Sequence, residues 1–126
     1  MGLFGKLFGT TKKQPISIND ANFHQEINQS ELPVVLDVWG SNCPSCHQLE
    51  PILMELAGKY DGKLKVCEML ADKSPKSTAR LNITGTPTVL YYHPKGKLAE
   101  KVVGFKGWAY HVEIIENELL AKAPKS

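Results

Sequence analysis

Hydrophobic positions along the chain alternate between two periods. After Pro15, "ISINDANFHQEINQS" opens with a short strand at Ile16–Ile18 and passes into a helix from about Asn19 or Asp20, whose inner face carries Phe23 and Ile27 four residues apart. "LPVVLDVW", Leu32–Trp39, is almost wholly apolar, rich in β-branched residues and too short for a helix. It predicts a strand covered on both faces, with Asp37 its one charge. "CHQLEPILMELAGKY" returns to helical spacing through Leu49, Ile52, Leu53 and Leu56, and Pro51 inside it predicts a kink.

"KLKVCEML", residues 63–70, reads as a third strand, and "SPKSTARLN" as a short helix with Ser74 for its cap and Pro75 at the first helical position. "PTVLYY" and "LAEKVVG" are strands joined by the Gly-containing loop "HPKGK", and "WAYHVEIIENELLAK" is an amphipathic helix. The order βαβαβαββα predicts an α/β fold, a largely parallel sheet with helices on both faces that ends in an antiparallel hairpin.

A chain of 126 residues fits one domain with a core that needs no metal or disulfide staple. A hydrophobic content of 42% beside 22% charge is ordinary for a globular protein, and a net charge of +2 is too small to point to nucleic acid. Three irregularly spaced cysteines are not the framework of a small secreted scaffold, so a reducing, cytoplasmic setting is expected. A monomer is expected as well. "MGLFGKLFGTTKKQP" has neither the apolar run nor the cleavage site of a signal peptide, and no stretch approaches the roughly 18 apolar residues of a membrane span. Leu3, Phe4, Leu7 and Phe8 fall at helical spacing near Lys6, Lys12 and Lys13, which fits an interfacial anchor. Gly2, Gly5 and Gly9 weaken that helix and favour a tail, mobile or docked on its own domain, while Lys6 stands where N-myristoylation needs Ser or Thr. The expected division is a tail over 1–15, a domain over 16–121 and a short tail over 122–126.

"GSNCPSCHQ" places Cys43 and Cys46 at the junction between strand and helix, as a metal half-site, a structural bridge or a redox pair. With Cys43 as N-cap, Pro44 falls at N1, Ser45 at N2 and Cys46 at N3. A Cys43 thiolate there can accept from the amides of N2 or N3 and lies at the positive end of the helix dipole, which depresses its pKa and makes it the attacking sulfur. Cys46, one turn on and deeper, is the natural resolving thiol. Asp37, on the strand leading to the site, is placed to lie under Cys46 and to exchange a proton near neutrality, against the plainer reading of a structural acid. A structural zinc site needs four ligands, whereas Cys67, His24, His47, His93 and His111 are scattered singly. Cys67 reads as a small core residue, His47 as a residue that tunes the thiols or an exposed helix histidine, the other histidines as surface or satisfied residues, and Trp108 and Tyr110 as packing for the last helix.

From about Ile16 to Leu120 the chain resembles the thioredoxin family. "VVLDVWGSNCPSCHQLEPIL" is similar to that family's active-site strand, Cys-x-x-Cys and helix, with Asp37, Trp39, Cys43, Cys46 and Pro51 in register, and "NITGTPTVLYY" to its cis-proline segment. The resemblance implies a thioredoxin fold with a mixed five-stranded sheet, a cis Thr86–Pro87 bond beside the cysteines, and docking of substrate on Trp39, Thr86, Pro87 and Gly104. It implies a thiol-disulfide oxidoreductase that needs no cofactor or metal, acts on protein disulfides and is recharged by a thioredoxin-reductase-like donor. The chain departs from the family's Trp-Cys-Gly-Pro-Cys-Lys at Asn42, Pro44, Ser45 and His47. The second tryptophan is gone, the linker proline has moved, and Ser45 gains an amide able to reach the thiolate. Glu68 stands where the family commonly has a lysine beside the buried acid. The extra donor at Ser45 predicts a couple more oxidising than thioredoxin. The rival reading is a metal carrier or assembly factor using Cys43, Cys46 and His47.

Overall fold

The structure is a computed structural model and describes residues 12–121. The anchor-or-tail readings of Leu3, Phe4, Leu7 and Phe8, and the short tail over 122–126, lie outside the described residues. Five strands, β1 (Ile16–Ile18), β2 (Val34–Trp39), β3 (Lys65–Leu70), β4 (Thr88–His93) and β5 (Lys97–Val103), form one sheet in the order β1-β3-β2-β4-β5. A short π-helical segment, α1 (His24–Asn28), packs on one face of the sheet through Ile27, as do Leu81 and Ile83 just after the helix α3 (Pro75–Arg80); α2 (Pro44–Lys59) and α4 (Trp108–Ile114, continued as a π-helical turn over Ile115–Leu119) pack on the other.

The pleat decides which residues meet which helix, because neighbours along a strand point to opposite faces. Val35 of β2 with Val66, Val89, Tyr91 and Val102 packs under Leu49, Leu53 and Leu56 of α2 and Ile115 and Leu119 of the last helix. Val34, Leu36 and Val38, with Cys67, Met69, Leu90 and Tyr92, meet Ile18, Phe23 and Ile27 on the opposite face. β2 is buried on both faces, as its apolar run predicts. Asp37 shares the α2 face with Val35 and Trp39, so the strand delivers its one charge beneath the first turn of α2.

The sheet is less parallel than the alternation of strands and helices predicts. β3 runs parallel to β1 and β2, but β4 is antiparallel to β2 as well as to β5. The helix between β3 and β4 explains this: the six residues of α3 span about 9 Å, against about 20 Å for the six of β3. The connection does not carry the chain back along the sheet, so β4 sets out from the end where β3 finishes. That brings Pro87 to the same end as Cys43.

Two helix starts differ in detail from expectation. Asn19 caps the first helical turn, its Oδ1 accepting from the amides of Ala21 at 2.8 Å and Asn22 at 3.1 Å, but regular helix begins only at Phe23 and His24. Ser74 occupies the N-cap position of α3 without capping it, and its Oγ is buried without a partner among the described residues. Asp20 does that work from another element: its carboxylate accepts from the amides of Ser77 at 2.8 Å and Lys76 at 3.1 Å. A carboxylate takes amide hydrogen bonds and faces the helix dipole better than a hydroxyl does.

Candidate active site

The segment between β2 and α2 puts the cysteines where a helix begins. Cys43 is extended, with φ −141° and ψ 94°, Pro44 takes the first helical position, and Cys43 and Cys46 are disulfide-bonded with Cα atoms 5.2 Å apart. The Sγ of Cys43 accepts from the amide of Cys46 at 3.2 Å. The amide that reaches this sulfur is therefore that of N3 and not, as the linker sequence implies, that of Ser45 at N2. Ser45 contributes instead through its hydroxyl, 3.6 Å from the same sulfur. An N-cap side chain can accept from N2 or N3, and with Pro44 at N1 the Cys43 sulfur folds over N3.

A second loop closes on the pair. Thr86–Pro87 is a cis peptide, and the Thr86 carbonyl oxygen lies 3.6 Å from Cys43 Sγ. The Gly104 amide donates to the Pro87 carbonyl at 2.8 Å; Gly104 has φ +100°, and among the described residues no atom beyond its chain neighbours stands within 4 Å of where its Cβ would be. That conformation favours glycine, and the open space above it leaves room for another backbone. Gly40 allows the two loops to approach, because a Cβ there would sit 3.1 Å from Thr86 Oγ1. The loop after Gly104 is tied down by buried His111, whose Nε2 lies 3.3 Å from the Lys106 carbonyl while Nδ1 meets the Tyr91 hydroxyl.

Behind the disulfide lies a chamber of about 190 Å³, lined by Asp37, Trp39, Cys46, His47, Glu50, Leu53 and Glu68 and bordered by Gln14 and Pro15. Asp37 is only 3% exposed and its Oδ1 has no hydrogen-bond partner among the described residues. Burial pushes its pKa up to about 7, with the negative charges of Glu68 and Glu50 adding to the effect. Glu68 faces Asp37 across the β2–β3 register and accepts from the indole N–H of Trp39 at 2.5 Å.

Of the residues singled out in the sequence, the structure gathers Cys43, Pro44, Ser45, Thr86, Pro87 and Gly104 around the disulfide, and Asp37, Trp39, His47 and Glu68 around the chamber. Cys67 is the free cysteine among the described residues. It is fully buried in the opposite core, where burial pushes its thiol up to about 12, far from reactive at neutral pH. His24 is exposed, His93 is half-buried, and Trp108 packs against the α2 core. Among the described residues no group of three or more His, Cys, Asp or Glu side chains is placed to hold a metal ion, so the metal-carrier reading has no assembled ligand set behind it.

Three participants are absent from the sequence reading. Glu50 was legible in principle, since it follows Cys46 by four residues and so shares its helix face. Gln14 and Pro15 carry no local signal. They reach the chamber because the chain before β1 lies along α2, with the Lys13 amide donating to the Met54 carbonyl at 3.1 Å.

The Thioredoxin family model matches residues 14–117. Thioredoxin of Staphylococcus saprophyticus is 35% identical over 104 residues, covering 82% of this chain and 97% of the relative. Thioredoxin of Pseudomonas aeruginosa is 32% identical over 87 residues, covering 69% and 81%. The chloroplastic M-type thioredoxin of Spinacia oleracea is 33% identical over 92 residues, covering 73% of this chain and 50% of its own.

Proposed function

The chain belongs to the thioredoxin family and is a thiol-disulfide oxidoreductase, and from that premise we propose how its own residues divide the work. Reduced Cys43 acts as a thiolate, held by the Cys46 amide, and attacks one sulfur of a protein disulfide. The substrate S–S bond breaks, its other sulfur leaves and takes a proton, and a mixed disulfide joins Cys43 to the substrate. Asp37, ionised, removes the proton of Cys46. The Cys46 thiolate then attacks Cys43 Sγ, the second substrate thiolate leaves, and the Cys43–Cys46 bond closes. Two electrons pass to the substrate. Trp39, Thr86, Pro87 and Gly104 dock it, with the open space over Gly104 admitting its backbone. A thioredoxin-reductase-like protein returns the electrons, and the cytoplasm is the setting that keeps the pair reduced. Among the described residues no helix is long and apolar enough to cross a membrane.

The observation that carries this reading is the placing of a disulfide-bonded pair at a helix start with a buried acid behind its second sulfur, one of whose oxygens has no partner among the described residues. Mixing the reduced protein with excess disulfide-bonded protein is expected to reduce the substrate stoichiometrically, with Cys43 and Cys46 becoming resistant to alkylation, read by mass. Both thiols still alkylatable after hours of incubation would overturn it.

The couple is more oxidising than thioredoxin, whose potential is about −270 mV, in this proposal because the reduced form alone carries a thiolate. The Ser45 hydroxyl, 3.6 Å from Sγ, is a donor to that anion in addition to the Cys46 amide. One charge-assisted hydrogen bond of roughly 1.5 kcal/mol converts to about 30 mV for two electrons. Equilibration with glutathione buffers should therefore give a value tens of millivolts above that of thioredoxin, and Ser45→Ala and Ser45→Pro should both lower it. A wild-type potential at or below about −270 mV, unmoved in both variants, would remove Ser45 from the account.

A further inference from the structure

We propose that Glu68 is a positioning residue: by accepting the indole N–H of Trp39 while lining the chamber shared by Asp37 and Cys46, it ties the docking tryptophan to the proton-handling side of the site. The proposal deepens the reading above and rests on it.

The geometry is specific. Glu68 sits opposite Asp37 in the β2–β3 register, so its side chain rises on the same face, and from there its Oε1 takes the Trp39 indole proton at 2.5 Å. Both residues are half-buried, and this indole N–H has a carboxylate for its partner, a charge-assisted contact of the stronger kind. Trp39 and Glu68 also line a second hollow on the side of β1, beside Ser17, Ile18 and Leu70. The pair thus stands between two spaces, and the hydrogen bond fixes the ring that separates them. The groups facing Asp37 from the elements packed around it are Glu68 on β3 and Cys46, His47 and Glu50 on α2. Glu68 is the member of this set that also holds a docking residue.

Two variants of the full chain separate the two roles. Glu68→Gln keeps an acceptor for the indole and removes the charge; Glu68→Leu removes both. The indole N–H resonance of Trp39, assigned by its loss in Trp39→Phe, is expected to stay hydrogen-bonded in the Gln variant and to move to the position of a free indole in the Leu variant. In the Leu variant the KM for a protein disulfide should rise roughly fivefold, while that for a small aromatic disulfide, which has no surface to set against the ring, changes less than about twofold. In the Gln variant the protein KM should stay near that of the wild type, and the pH profile of the resolving step should move to lower pH, because the acid it relies on loses a repelling neighbour. An indole resonance at the wild-type position in both variants, or a protein KM that does not rise in the Leu variant, would overturn the proposal. If the wild-type protein reduced no disulfide, the reading of its function would fail, and the indole resonance alone would still decide whether Glu68 holds Trp39.

Discussion

Cys43→Ser is expected to abolish turnover of protein disulfides, a loss on the order of a thousandfold or more, whereas Cys46→Ser should convert the protein into a trap. The asymmetry follows from where the two sulfurs sit. Cys43 Sγ lies at the outer end of α2 between the Ser45 hydroxyl and the Thr86 carbonyl, at the side where Gly104 leaves open space. Cys46 is on the inner side of the first turn, where it lines the chamber with Asp37. A serine at 43 has no accessible thiolate, so no mixed disulfide forms. A serine at 46 leaves the attack intact and removes the sulfur that would release the product, so the adduct accumulates. Non-reducing electrophoresis after incubation with a disulfide-bonded protein reads both results. Adducts through Cys46 in Cys43→Ser, with none in Cys46→Ser, would reverse the two roles.

What the sequence made legible is what depends on neighbours along the chain. The apolar run Val34–Val38, the proline at the first position of α2 and the spacing of Leu49, Leu53 and Leu56 each state their environment locally, and each is found as read. Most of the errors concern partners far away in sequence. The direction of β4 depends on how far the short α3 carries the chain, a length that the alternation of elements does not encode. Ser74 has the right residue type for a cap, but Asp20, more than fifty residues earlier, arrives with a carboxylate and takes the amides. At the cysteines the residue types were enough to find the site and not to choose between the amides of Ser45 and Cys46, because both positions satisfy the same capping rule. The hydrogen bond between Trp39 and Glu68 has no sequence signature, since strand pairing alone brings residues 39 and 68 together.

Asp37→Asn is expected to stabilise the protein strongly at pH 8 and hardly at all near pH 3.5, at the expense of the resolving step. The folded pKa of about 7 lies above the usual carboxylate value of 3.8, so between these two pH values the folded chain holds a proton that the unfolded chain has released. Stability contributed by the protonated acid is fully present below pH 3.8 and is lost as pH rises through 7. At about 1.4 kcal/mol for each tenfold change in proton affinity, the ionised acid costs the fold on the order of 4 kcal/mol above pH 7. Asparagine stays neutral at every pH and avoids that cost, although its amide is no better satisfied where Oδ1 already lacks a partner, which trims the gain by about 1 kcal/mol or more. Buried His111 works in the opposite direction: burial lowers its pKa, so stability falls as pH drops below 6.5. It is present in both proteins, and the difference between them cancels it. Urea unfolding of wild type and variant at both pH values measures the effect, and the disulfide form should be used so that neither active-site thiol titrates; the Cys67 thiol is common to both proteins and cancels in the difference. Kinetically, if Asp37 is the base for Cys46 as proposed, the mixed disulfide should persist about tenfold longer or more in the variant at neutral pH, because water then has to take that proton. Equal stabilisation at pH 3.5 and pH 8, or none at either, would mean that Asp37 ionises in the fold as it does in water, and the acid behind Cys46 would have no special claim on its proton.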